Sequence, residues 1–315
     1  MTNTAHTRVG WIGTGRMGFA LASRLLDAGY DLAAFNRTRS KAEPLASKGA
    51  TIVDSPADLA DRDVVFIMVS APQDLDEVVN GPGGLLSVDG HAPRIIIDSS
   101  TVSMAASAQI RQRAAERGSQ FLATPVSGNP AVIAAGKLTL AASGPRETFD
   151  EVEQLLNALG SGVTWVGDDE VARLVKIAHN VFLGVVTQAM AEITVLAEKG
   201  GVSRHAFLEF LNDSVMGSTF TRYKTPAFVN LDFTPTFTMP LLSKDFTLGL
   251  DAARELGVTM PIATATAHIV SAAVAAGHRD EDFAVLLLDE AKRAGMTLVS
   301  EHTPVASGLE VAGHE

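Results

Sequence analysis

The chain has no cysteine among its 315 residues. That removes disulfides, thiolate metal sites and a thiolate nucleophile at once, and it fits a reducing compartment, so a cytoplasmic protein is expected. Positive charge is in short supply: 25 Lys and Arg stand against 36 Asp and Glu, a formal net charge of -11. A nucleic-acid backbone or an anionic membrane would be approached against the mean field, so neither is expected as a partner. The eight histidines show no metal-ligand spacing and no Ser/His/Asp arrangement, which predicts neither a metal site nor a covalent triad. Long apolar runs are missing as well. No stretch reads as the ~18 to 20 apolar residues of a membrane span, and the polar start MTNTAHTR leads into a run too short for a signal sequence.

What is present is apolar bulk, 46% hydrophobic against 19% charged residues. A chain of this length exceeds what one core usually supports, so two domains are expected. The patterns divide at a Gly-rich stretch around Gly160–Gly167, read here as a hinge, which predicts domains over 1–166 and 167–299 with a tail over 300–315.

The first part opens with the apolar run Val9 to Ile12, then Gly13-Thr14-Gly15-Arg16-Met17-Gly18, then a segment whose Leu21, Leu25 and Leu26 recur at helical spacing. Strand, glycine turn and helix form a dinucleotide-binding fingerprint. Gly13 makes the tight turn, Gly15 lets backbone approach a pyrophosphate, and Gly18 lets helix pack on strand, while the helix N-terminus offers N–H groups to the phosphates. A second strand, Asp31 to Phe35, ends in Asn36-Arg37-Thr38, where an NAD-specific chain would carry an acid for the ribose hydroxyls. Arg37 can instead pair with a 2′-phosphate, with Asn36 and Thr38 hydrogen-bonding around it, so NADP(H) is favoured and NAD(H) remains possible.

Apolar runs at Val64–Val69 and Ile95–Ile97 alternate with helical patterns near Pro72–Val79 and Met104–Arg117, the rhythm of a doubly wound parallel sheet. The carboxyl ends of such strands hold ligands, which marks Val69, Ser70, Ser100 and Thr101 as candidate cofactor contacts. For Ser99 to Thr101 a helix cap is the alternative. After a strand at Phe121–Ala123 comes the turn Pro125-Val126-Ser127-Gly128-Asn129-Pro130, where Ser127 and the backbone beside Gly128 can grip a carboxylate.

From Asp168 onward the pattern is nearly all helix, opening with a segment of roughly thirty residues closed by Gly200-Gly201. Its acids Asp168, Asp169 and Glu170 suit a helix N-terminus. Lys176 and Asn180, four apart, project from one face among Val175, Ile177, Val181 and Phe182. Desolvation there lowers a lysine toward working pH, as an acid/base at an alkoxide requires, and Asn180 can hold substrate or orient the lysine. A snorkelling surface lysine is the alternative.

Taken in order, WIGTGRMG, FNRT, DSST, TPVSGNPAVIAAGKLTL, KIAHN and LLSKD resemble the motifs of the β-hydroxyacid dehydrogenases, over nearly the whole chain. The resemblance implies a Rossmann-type domain followed by an all-α domain, and hydride transfer between a nicotinamide cofactor and a small carboxylate-bearing 3-hydroxy acid or its semialdehyde. It implies Lys176 as acid/base, Ser127, Gly128 and Asn180 at the substrate carboxylate and hydroxyl, Lys244 and Asp245 completing the cleft, and a homodimer or homotetramer built by the C-terminal helices. Asn129 stands where the family usually has a second glycine, which implies an altered substrate pocket. The tail from Ser300 has no periodic apolar face and is expected to be disordered or to cross onto a neighbouring subunit. Two rivals remain: an imine reductase of the same architecture, which commonly lacks the lysine, and a non-catalytic NADPH sensor.

Overall fold

The computed structural model describes residues 7–310. The chain divides into two compact units, the first ending at Lys176 and the second beginning at Ile177.

The first unit runs β1 (Arg8–Ile12), α1 (Arg16–Asp27), β2 (Asp31–Phe35), β3 (Thr51–Ile52), β4 (Val64–Ile67), α2 (Pro72–Asn80), β5 (Ile95–Asp98), α3 (Met104–Glu116), β6 (Gln120–Ala123), β7 (Val126–Ser127), α4 (Pro130–Ala134), β8 (Thr139–Ser143), α5 (Arg146–Asn157) and β9 (Gly162–Gly167). One sheet takes the order β3-β2-β1-β4-β5-β6-β8-β7, with β9 also on β8. The strands from β3 to β6 are parallel to their neighbours, β8 is antiparallel to β6 and β7, and β9 is parallel to β8. β4 and the Ile-Ile-Ile of β5 are buried on both faces, under separate apolar clusters, which is why they read as continuous apolar runs rather than alternations. The chain passes from β1 to β2 on one side and to β4 on the other, so the strand order reverses at the carboxyl end of β1, where open α/β sheets bind ligands.

Two expectations fail in this unit. The Gly-rich stretch near Gly160–Gly167 is not a hinge: its Val163, Thr164, Trp165 and Val166 suit a pleated ladder, and β9 pairs with β8 while the Trp165 indole donates to the Gly144 carbonyl at 3.1 Å. The long helix α6 (Val171–Lys199) begins three residues after Asp168. Asp169 has left-handed backbone (φ 53), and Asp169 and the buried Glu170 each accept from Arg111 at 2.8 Å, so both acids hold α3 to this turn.

The second unit continues α6 and adds α7 (Arg204–Asp213), α8 (Thr219–Asn230), α9 (Met239–Glu255), α10 (Pro261–Ala275) and α11 (Leu286–Arg293). Helix α6 is, against expectation, long and apolar enough to cross a membrane, with a mean hydropathy of 1.5 over its best window. Half of that window is buried inside the protein, as in a core helix. Gly184 and Gly249 let α6 and α9 meet at close range: a Cβ on Gly184 would lie 2.5 Å from the Phe246 ring, and one on Gly249 2.4 Å from Val181.

The tail also departs from expectation. Through Glu310 it packs on its own unit: Glu301 accepts from the Arg204 and His205 N–H groups at the start of α7, and Asn230 exchanges hydrogen bonds with Thr303. Buried Arg204 donates to the Phe228 and Val229 carbonyls and to Glu198, drawing α6, α7 and the end of α8 together. The last five residues lie outside the described ones.

A buried ion pair anchors the middle of α8. Lys224 donates to Asp282 at 2.5 Å and to Thr236 at 2.9 Å, and Asp282 also accepts from the Thr236, Phe237 and Ala284 N–H groups. Burial pushes the Lys224 ammonium below its ordinary value, and the Asp282 carboxylate opposes that. Removing the acid strands a buried cation. Asp282→Ala is expected to cost about 3–5 kcal/mol in urea unfolding at neutral pH. The folded variant then binds fewer protons than its unfolded chain, so stability rises with pH as Lys224 sheds its proton and the deficit shrinks; a deficit that grows with pH would contradict this account.

Candidate functional site

The fingerprint loop shows why each glycine is needed. Gly13 has φ 94, and a Cβ there would lie 2.1 Å from the Met68 carbonyl oxygen; its N–H donates to Phe35 O at 2.9 Å, tying β1 to β2. A Cβ on Gly18 would lie 2.0 Å from Gly13 O, the same oxygen that accepts from buried Trp11 Nε1 at 2.9 Å. Gly13 and Gly18 are therefore packing requirements. Gly15 is different: a Cβ there would meet nothing within 4 Å, and as N-cap of α1 it supplies no side chain. Its emptiness faces open space, leaving the helix N-terminus to a ligand. The Thr14 hydroxyl is buried yet finds no hydrogen-bond partner among the described residues. Arg16 and Met17 form the first turn of α1.

Beside this loop lies a pocket of about 270 Å³ lined by Gly13, Gly15, Asn36, Arg37, Thr38, Val69 and Ser70 among others. Seven of the cofactor positions read from sequence thus share one cavity. Asn36 has a more internal task than expected. Its Oδ1 accepts from the Thr14 N–H and its Nδ2 donates to the Thr38 carbonyl, each at 2.9 Å, so it braces the phosphate loop. Arg37 is largely exposed and donates to Asp74 of α2 at 2.9 Å.

Ser100 is corrected more sharply. It is 1% exposed, and its hydroxyl accepts from the Val69 N–H at 3.0 Å, so it fixes one strand-end loop to another. The helix cap expected of Ser99–Thr101 is supplied by Ser103, whose Oγ accepts from Ala106 N at 3.2 Å. Two residues overlooked in the sequence hold this loop. Buried Asp98, ending β5, accepts from Ser100 N–H with one oxygen and from Arg173 with the other, at 3.0 and 2.5 Å. Arg173 also donates to the Ser100 carbonyl and to Ser107. It lies in the first turn of α6, three residues before Lys176. The available signal was one charge inside an apolar strand and one in an apolar helix, 75 positions apart, with nothing local to pair them.

Ser127 sits on β7 opposite Thr139. Gly128 has φ 142, and a Cβ there would meet Val132 and Leu138 at 2.8 and 2.9 Å, so packing alone demands the glycine. Asn129 is buried, and its Oδ1 caps α4 by accepting from Val132 N–H at 3.0 Å; this accounts for an Asn followed by Pro130 without reference to substrate.

Lys176 is half-buried in α6, and the apolar setting expected for it is one-sided. Ile177 and Val181 are buried, whereas Val175 and Phe182 are exposed. One helical turn on, and within the second unit, Asn180 is buried and donates through Nδ2 to Asp245 of α9 at 2.5 Å, while its Oδ1 meets the His179 ring at 3.0 Å. Asp245 is itself 2% exposed, so Asn180 is held from behind by a buried acid. Lys244, its chain neighbour, is half-buried.

Residues 8–167 match the NAD binding domain of 6-phosphogluconate dehydrogenase, and residues 171–288 match the NAD-binding domain of NADP-dependent 3-hydroxyisobutyrate dehydrogenase. The chain belongs to the β-hydroxyacid dehydrogenase family. It is 32% identical to the uncharacterized oxidoreductase YfjR of Bacillus subtilis (strain 168), over 89% of this chain and 98% of that one. It is 30% identical to the 2-(hydroxymethyl)glutarate dehydrogenase of Eubacterium barkeri, over 89% and 93%. Among solved structures, the 3-hydroxyisobutyrate dehydrogenase of Salmonella typhimurium superposes with a TM-score of 0.78 at 26% identity, over 89% of this chain and 98% of that one.

As a member of this family the chain is an NAD(P)-dependent oxidoreductase of CH–OH groups. The residues fit that cofactor: open space at Gly15, a helix N-terminus with no side-chain cap, and a buried Thr14 hydroxyl lacking a partner among the described residues are what a pyrophosphate would complete. Gly15→Val should therefore leave the melting temperature nearly unchanged and weaken dinucleotide binding by about tenfold or more. Gly18→Ala, which forces a Cβ onto a backbone carbonyl, should lower the melting temperature by an overpacking cost of about 1–3 kcal/mol. Calorimetry of the two variants checks both, and equal thermal loss in both would remove the distinction.

Proposed function

We propose that the protein interconverts a short 3-hydroxy acid and its semialdehyde, with NADP(H) preferred and Lys176 as the acid/base. The observation that carries this is the α6 face on which Lys176 and Asn180 lie one turn apart, with Asn180 held by buried Asp245. A pre-set amide beside an amine is the equipment that hydroxyl chemistry needs. The family supports the substrate class: both 2-(hydroxymethyl)glutarate and 3-hydroxyisobutyrate carry a hydroxymethyl group on the carbon next to a carboxylate.

When bound, the nicotinamide supplies or takes up the hydride. Gly13 to Gly18 and Thr14 would hold its pyrophosphate, and Arg37 the 2′-phosphate of NADP. In the oxidising direction neutral Lys176 accepts the substrate hydroxyl proton; in reduction its ammonium returns a proton to the forming alkoxide. Asn180 orients the hydroxyl or the lysine, and Ser127 with the Gly128 backbone binds the carboxylate, with Lys244 and Asp245 completing the site.

The protein is further proposed to act as a homo-oligomer. Val175, Phe182, Ile193 and Leu196 fall within about 60° on one face of α6, and all are exposed, Phe182 by 67% and Leu196 by 74%. An exposed apolar stripe of this kind marks an association surface. Phe182→Glu should shift the species seen by light scattering to lower mass; a monomeric wild-type protein would dismiss the assembly.

Lys176→Ala should reduce turnover at least a hundredfold while NADPH binding stays within about twofold. The assay is optical NADPH oxidation against glyoxylate and tartronate, succinate and methylmalonate semialdehydes, with cyclic imines alongside. Full activity in the variant removes the lysine from the mechanism. Turnover of imines alone, or tight NADPH binding with no turnover, replaces the reading.

A further inference from the structure

The ribose end of the cofactor pocket contains two carboxylates in addition to the arginine already described. Asp74 and Glu77, one turn apart on α2, both line the cavity. Arg37 Nη1 lies 2.9 Å from Asp74 Oδ1 and 3.8 Å from Glu77 Oε2. Asp74 is only 26% exposed, whereas Arg37 is 74% exposed, so the acid is the better anchored partner. No acid ends β2, and the acids come instead from α2, the helix that follows β4.

We infer that Asp74, assisted by Glu77, is a specificity-determining residue that restrains the preference for NADP by competing with the 2′-phosphate for Arg37. This rests on the reading of Arg37 as the 2′-phosphate partner. Charge decides this competition. A 2′-phosphate brings close to two negative charges to a guanidinium that already has a carboxylate at hydrogen-bond distance. To pair with Arg37 the phosphate must take over the donors that Asp74 holds, and it then sits beside two uncompensated acids. A ribose bearing a plain 2′-hydroxyl meets no such cost, because it leaves the Arg37–Asp74 pair intact, and a carboxylate can accept from that hydroxyl. Lys41, also lining the pocket, is the second cation available to the phosphate. The pair therefore narrows the gap between two cofactors that Arg37 and Lys41 alone would separate widely.

The test is equilibrium binding of NADPH and NADH to the full chain, followed by the fluorescence of the reduced nicotinamide, in wild type, Asp74→Asn, Glu77→Gln and Arg37→Ala. Asp74→Asn keeps the side-chain size and removes one charge. It is expected to tighten NADPH by about tenfold while moving NADH by less than about twofold, with a smaller gain in Glu77→Gln; both gains should shrink at high salt. An unchanged NADPH-to-NADH ratio in Asp74→Asn overturns the inference, and weaker NADPH binding shows that Asp74 instead pre-positions Arg37. Arg37→Ala separates the two layers. Loss of NADPH affinity alone supports the 2′-phosphate reading whatever Asp74 does, and no change in either cofactor overturns that reading and this inference with it.

Discussion

The first unit depends most on the buried pairing of Arg173 with Asp98. Both side chains are essentially without solvent, so each charge is tolerable only because it is fully engaged: the guanidinium by a carboxylate, a carbonyl and a hydroxyl, the carboxylate by the guanidinium and a backbone N–H. Breaking either partner would leave the other charged and dry. The pair fixes more than itself. Through Ser100 it reaches the Val69 N–H, and through the helix it holds the turn of α6 that precedes Lys176. One electrostatic knot thus joins a strand end that borders the dinucleotide pocket to the start of the helix proposed to carry the acid/base.

The second unit repeats the strategy with different parts. Asp245 behind Asn180, Asp282 beneath Lys224 and Glu198 with Glu301 around Arg204 are buried or half-buried ionic groups, fixing helices to one another, to the loop before α11 and to the tail. Small residues make such contacts possible. Without Gly184 and Gly249 the backbones of α6 and α9 could not approach, and the Asn180–Asp245 bond would have no geometry in which to form. Packing therefore comes first and hydrogen bonding follows within the space it leaves.

Several residues singled out as ligand contacts also hold the backbone, and the reason is general. A short polar side chain at a strand end or helix start can serve a ligand or the backbone, and the backbone is always there to be served. Ser100, Asn36 and Asn129 each satisfy a main-chain N–H close at hand. Gly15 and Thr14 show the opposite case, a void and a hydroxyl that no group among the described residues completes.

By itself the sequence determined the alternation of strands and helices, the glycine fingerprint and the spacing of Lys176 to Asn180, because each is a local periodicity or a conformational demand written within a few residues. It misjudged β9, whose flanking glycines masked a β-branched and aromatic centre, and the tail, whose anchors Arg204 and Asn230 lie 97 and 73 positions from their partners. Tertiary structure alone decided which polar and charged groups meet. Asp98 with Arg173, Asn180 with Asp245 and Arg37 with Asp74 are separated by 75, 65 and 37 positions. Pairings of that kind follow from how folded elements pack, and no local pattern in one chain records them.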